Sequence, residues 1–183
     1  MRFARLHWIA GAALWHALGG APVFGADPDA PSEYAVKAAF LYNFAKFIEW
    51  PQAASGVTRG PIVLCVFAGE PYREPLAAID GKSAQGRTLQ VRRGVHPDEI
   101  KSCDMLFIAE SEERSIPELL RLARGWPVLT IGDIEGFAAS GGMIGLVYAE
   151  DRVQFEINNR AAQRANLKIG SQLLRLARLV KQR

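Results

Sequence analysis

Residues 61–68 read PIVLCVFA, an unbroken apolar run of strand length that follows a glycine-containing loop. A strand with one wet face alternates apolar and polar residues; a continuous run is what a strand covered on both faces requires. The same signature returns at 104–109 (DMLFIA) and 127–132 (PVLTIG), with a weaker strand at 89–93 (LQVRR). Between these runs lie shorter helical candidates at 74–79, 97–102 and 116–124. Buried strands alternating with helices predict an α/β domain, a largely parallel sheet flanked by helices on both faces.

The C-terminal part leaves that alternation. Residues 143–149 (MIGLVYA) and 152–157 (RVQFEI) are separated only by Glu150 and Asp151, so they read as an antiparallel hairpin at the sheet edge. Within the second segment Val153, Phe155 and Ile157 alternate with Gln154 and Glu156, giving one apolar and one polar face. Two terminal helices are predicted, from Asn158 or Asn159 to Asn166, and from Gly170 or Ser171 to the chain end. The second carries Leu173, Leu174, Ala177 and Val180 along one side.

Ahead of the first strand, residues 32–51 (SEYAVKAAFLYNFAKFIEWP) predict a long helix. Ser32 is a good N-cap, Glu33 lies in the first turn where the helix dipole favours an acid, and Pro51 is the expected stop. Val36, Phe40, Phe44 and Phe47 share one face, widened by Leu41 and Ile48; such a stripe is core or, alternatively, a partner-binding surface. Further upstream, Arg2 and Arg5 precede an apolar stretch from Trp8 to Leu18, and Val23 to Gly25 suits cleavage. The expected organisation is a signal peptide at 1–25, a linker at 26–31 and one domain at 32–183. A retained N-terminal anchor is the alternative; either places the folded part in the periplasm or outside the cell.

The chain has 183 residues and a formal charge of +3, but removing Arg2 and Arg5 leaves 20 cations against 19 acids, a net +1. Overall basicity is therefore no argument for nucleic acid. Its placement is more telling, because Arg160, Arg164, Lys168, Arg175, Arg178, Lys181 and Arg183 follow Ile157 with no carboxylate among them. That end suits an acidic partner or lipid headgroups. Cys65 and Cys103 are the only cysteines. In an oxidising compartment they read as a disulfide, with two buried thiols as the alternative.

Chemistry for catalysis is missing. After Gly25 the single histidine is His96, in a charged turn (RRGVHPDE), and no G-x-S-x-G elbow, P-loop or H-E-x-x-H motif occurs. Gly141, Gly142 and Gly145 do not follow a strand and open a helix, so they read as a turn rather than a phosphate cradle. Acids such as Asp133, Glu135, Glu150 and Asp151 fall near strand ends without a base, nucleophile or metal set beside them. No enzyme activity and no cofactor are expected.

The helix block at 32–51, IVLCVFA, CDMLFIA, GGMIGLV, RVQFEIN, Ala161-Ala162, Leu167 and SQLLRLARLV together resemble the YfiR-like family of periplasmic proteins, over about residues 32–180. The resemblance implies a compact α/β domain that dimerises. It implies a non-enzymatic repressor that binds the periplasmic sensory domain of a membrane-bound diguanylate cyclase, with an outer-membrane lipoprotein connected to release, cyclic di-GMP synthesis and biofilm. Cys65 and Cys103 match the family's disulfide positions; a second cysteine pair found in some relatives is absent. A repressor needs only differential affinity for its partner's inactive state. The partner surface is expected in the C-terminal region, from Phe155, Ile157, Leu167, Ile169 and Leu173, rimmed by Arg164, Lys168 and Arg175. The alternative is that these residues are core. A periplasmic small-ligand sensor, with a pocket near Gly69, Glu70, Asp133 and Glu135, is the competing functional reading.

Overall fold

A computed structural model describes residues 31–51, 60–150 and 152–180. The expected signal peptide and its linker up to residue 30 lie outside the described residues, as do Asp151, Lys181 and Arg183. The chain begins with helix α1 (Glu33–Phe47), whose first free amide is met as the sequence predicts: Ala35 N donates to Ser32 Oγ at 3.2 Å. Strands β1 (Ile48–Glu49) and β2 (Ile62–Phe67) follow, then α2 (Arg73–Ala77), β3 (Ser83–Ala84) and β4 (Arg87–Arg93). Next come β5 (Met105–Ile108), α3 (Ile116–Ala123), β6 (Leu129–Gly132), β7 (Ile144–Ala149) and β8 (Arg152–Ile157). The described chain closes with α4 (Asn159–Arg164), β9 (Lys168–Ile169), α5 (Ser171–Leu176) and β10 (Arg178–Leu179).

The main sheet runs β10-β8-β7-β6-β5-β2-β4-β3. Strands β4, β2, β5, β6 and β7 are parallel, β8 returns antiparallel to β7, and β10 lies parallel to β8. Continuous apolar runs now have their reason. In β2, Ile62, Leu64 and Val66 face a core completed by α1, while Val63 and Cys65 face a second core completed by α3 and the 3-10 helix Pro97–Ser102. Helices therefore cover both faces, and the fold is a mixed α/β domain with a mostly parallel sheet. Cys65 is bonded to Cys103, with their Cα atoms 5.9 Å apart, which ties β2 to the segment leading into β5.

Three boundaries differ from the sequence reading. Helix α1 ends at Phe47 rather than at Pro51, because the Gln85 amide donates to Ala45 O (2.8 Å) and Ile48 O (2.7 Å) while β1 turns out to pair with β9. The β7–β8 hairpin is not at the edge; β10 lies outside it. The final helix stops at Leu176, since Arg178 and Leu179 pair with Glu156 and Ile157 and Val180 N donates to Ile157 O at 3.1 Å. A six-residue helix has little stability of its own, and the open edge of β8 offers its end better hydrogen bonds.

Candidate functional site

The turn after β6 places Asp133 at the carboxyl end of the parallel strands, where open α/β sheets leave a crevice. Its carboxylate accepts from Lys37 Nζ (3.1 Å) on α1, from the Tyr72 hydroxyl, and from Glu110 N (2.7 Å). Lys37 also pairs with Glu33 one turn earlier, at 2.5 Å. The side chains of Lys37 and Asp133 are 7 % and 4 % exposed, so this is a buried ion pair held by hydrogen bonds from three segments. Burial works against the charged lysine, but the hydrogen bond to Glu33 and the charge of Asp133 outweigh it and hold the amine above its ordinary range. Burial, reinforced by the bond to Asp133, raises the Tyr72 phenol and keeps it a proton donor. Beside the group is a cavity of about 270 Å³, lined in part by Tyr34, Gly69, Ser111 and Asp133.

The sequence pointed to Gly69 and Asp133 here, and both border this cavity, whereas Glu70 is turned outward into an ion pair with Arg73 at 2.5 Å and Glu135 does not line it. The sequence reading missed Lys37. A signal was present: Lys37, Leu41, Phe44 and Ile48 recur at helical spacing, and a cation inside such a stripe has to find a buried partner.

The C-terminal residues expected to form a partner surface divide cleanly. Phe155, Ile157, Leu167, Ile169 and Leu173 are buried in the core shared with α1, where the Phe155 ring meets Phe40 tilted and Phe44 edge-on, at centroid distances of 5.5 and 5.4 Å. They are not surface anchors in this chain, because α1 and the β1–β9 pair close over them. Arg164, Lys168 and Arg175 are exposed. The apolar side chains that do reach solvent in this region are Leu176 (75 % exposed) and Leu179 (60 %). Arg175 and Arg178 beside them in the chain, and Arg160, Arg164 and Lys168 earlier, make no ion pair among the described residues.

The other singled-out motifs are structural. A Cβ on Gly132 or Gly142 would stand 2.5 or 2.2 Å from the Phe137 ring, so these glycines exist to admit an aromatic side chain, not a phosphate. Asn158, fully buried, accepts from Ala161 N and donates to Ala138 O, both at 3.0 Å, capping α4 and fixing the preceding turn. His96 is exposed and its N–H donates to Glu99 at 2.9 Å. Among the described residues no group of His, Cys, Asp and Glu is arranged to hold a metal ion, and no helix is long and apolar enough to cross a membrane.

An α/β sheet of this kind hosts many functions, so the class of protein is set by family membership. Residues 34–178 match the YfiR/HmsC-like family, and the chain belongs to that family. This is a regulatory, non-catalytic, periplasmic family. Among solved structures the chain is similar to a conserved domain protein from Vibrio cholerae O1 biovar El Tor, at 13 % identity over 65 % of this chain and 54 % of that one, with a TM-score of 0.46. It is similar also to an ABC domain in complex with L-Trp from Streptococcus pneumonia, at 11 % identity over 66 % and 55 % of the two chains, also with a TM-score of 0.46. The chain spans about half the length of both.

Proposed function

We propose that this chain is a periplasmic repressor that binds the periplasmic sensory domain of a membrane-bound diguanylate cyclase and holds the cyclase inactive, limiting cyclic di-GMP and biofilm formation. Family membership supports the regulatory class. The observation that carries the choice of surface is the pair of exposed leucines, Leu176 and Leu179, next in the chain to the exposed cations Arg175 and Arg178, which make no ion pair among the described residues. Apolar anchors within a charged rim suit a protein interface, and the cations favour an acidic partner. Release through an outer-membrane lipoprotein, and a homodimer as the working form, belong to the same proposal.

The test is cellular cyclic di-GMP in a strain lacking the protein and in one also lacking the nearest encoded membrane cyclase. A rise that vanishes in the double deletion supports repression; unchanged levels while the protein is expressed reject it. Leu176→Asp and Leu179→Asp should relieve repression with unchanged melting temperature. Ile169→Asp, by contrast, should unfold the protein, because Ile169 is buried beside α1. The cavity beside Lys37 and Asp133 favours a second reading, a sensor of a small polar ligand. A ligand-dependent rise in melting temperature that Tyr34→Ala abolishes would support it.

A further inference from the structure

A second cavity, of about 600 Å³, lies away from the Asp133 cluster, between the end of α3, the turn before β7, and α4. That volume falls within the roughly 300–1,000 Å³ of small-molecule sites. Its walls are bare for a backbone reason. Gly125 and Gly141 adopt φ of +87° and +107°, where a side chain is disfavoured, and nothing lies within 4 Å of where their Cβ atoms would be. Ala123, Met143, Ala161 and Ala165 supply a buried apolar lining. Two charged side chains border the space, Arg124 and Arg164, and no carboxylate does. Neither arginine makes an ion pair or a side-chain hydrogen bond among the described residues.

We infer that this cavity binds a small amphipathic carboxylate, its apolar body on the alanine and methionine lining and its carboxylate on the guanidinium groups of Arg124 and Arg164. The charge balance selects the sign of the ligand: the two arginines are the charged groups on the lining, which otherwise offers apolar side chains and the hydroxyls of Thr130 and Ser140. A planar guanidinium donates two parallel hydrogen bonds to a carboxylate, which suits this class over a neutral compound of equal size. The inference does not rest on the cyclase reading, although Arg164 belongs to both, and the amide shifts are read on the protein without a partner.

The test is amide chemical-shift mapping on the purified, oxidised protein, titrated with 4-phenylbutyrate and, separately, with its neutral isostere 4-phenylbutyramide. The expected result is saturating shifts at Gly125, Gly141 and Ala165 with the acid, and binding at least about tenfold weaker for the amide. Arg124→Ala combined with Arg164→Ala should remove that preference for the acid. Both residues are exposed, so the variant should keep the wild-type spectrum elsewhere. Absence of saturating shifts at those amides, shifts confined to another region, or equal affinity for acid and amide would overturn the inference. So would a preference for the acid that survives in the double variant.

Discussion

Each end of the central sheet is pinned by an aspartate paired with a cation, and the two pairs live in different surroundings. At the carboxyl end Asp133 meets Lys37, with side-chain exposures of 4 % and 7 %. At the amino end Asp104 meets Arg87 at 3.1 Å, with exposures of 24 % and 15 %. Arg87 also donates to the carbonyls of Gly60 and Pro61, both at 2.8 Å, and Asp104 accepts from Val63 N at 2.9 Å. Trp50 donates to the Asp104 carbonyl at 3.1 Å, so that end is a surface clasp built largely on main-chain oxygens. The difference teaches where charge matters. In the buried pair Asp133 has Lys37 as its counter-charge, while in the partly exposed pair water can reach either partner.

The largest effect should come from Lys37→Met, which strands the Asp133 charge in the interior and should cost about 3–5 kcal/mol in chemical denaturation. A loss below about 1 kcal/mol would erase the contrast between the two ends, since it would mean that water already reaches Asp133. Next is the pair Cys65→Ser and Cys103→Ser. The bond closes a separation of 38 residues, and its removal should cost about 3–4 kcal/mol, chiefly by freeing the unfolded chain. Because Cys103 adjoins Asp104, hydrogen exchange should quicken first at Val63 and Met105 and leave Glu110 protected.

Arg87→Ala should be milder, at about 1–2 kcal/mol, because Asp104 keeps the Val63 amide and gains water. The smallest effect is a pH dependence that belongs to the carboxyl end alone. Lys37 is raised above its ordinary 10.5, so its contribution is complete below that pH and is lost as pH rises through the folded-state value. Tyr72 is raised above 10.0, so the unfolded chain releases that proton first and stability again falls as pH rises. Stability should therefore begin to decline near pH 10, and Lys37→Met with Tyr72→Phe should flatten the decline. An equal decline in Arg87→Ala and in that double variant would show that neither group is responsible.

The parallel strands were readable because burial on both faces leaves an uninterrupted apolar run, as in Ile62 to Phe67, which needs no knowledge of neighbours. The antiparallel β7–β8 pair was readable because Ile144 to Ala149 and Arg152 to Ile157 are joined by a two-residue connection. What escaped depends on long-range partners. The β1–β9 pairing joins Glu49 to Lys168, and no local pattern in a two-residue strand announces it. The end of α5 was misread because Ala177 and Val180 continue the helical apolar side begun by Leu173 and Leu174, which the free edge of β8 overrides. At the site, Asp133 was placed by strand-end logic, but its lysine stands 96 residues earlier in the chain, on a helix read only for its apolar stripe. The C-terminal apolar residues were given to a partner because sequence alone does not show that α1 occupies their face.

Gly170 packs its backbone onto the end of α1: its N–H donates to Phe47 O at 2.9 Å, and a Cβ there would stand 2.8 Å from that oxygen. This closure sets a schedule. Helix α1 opens the domain, yet the surfaces that cover its aromatic side, β8 and the segment from Ile169 to Leu173, come late in the chain. Phe40 and Phe44 must therefore wait uncovered while the whole sheet is made, so the domain completes late, through its most distant contacts, and a chain cut before Gly170 should remain sticky and open to proteases.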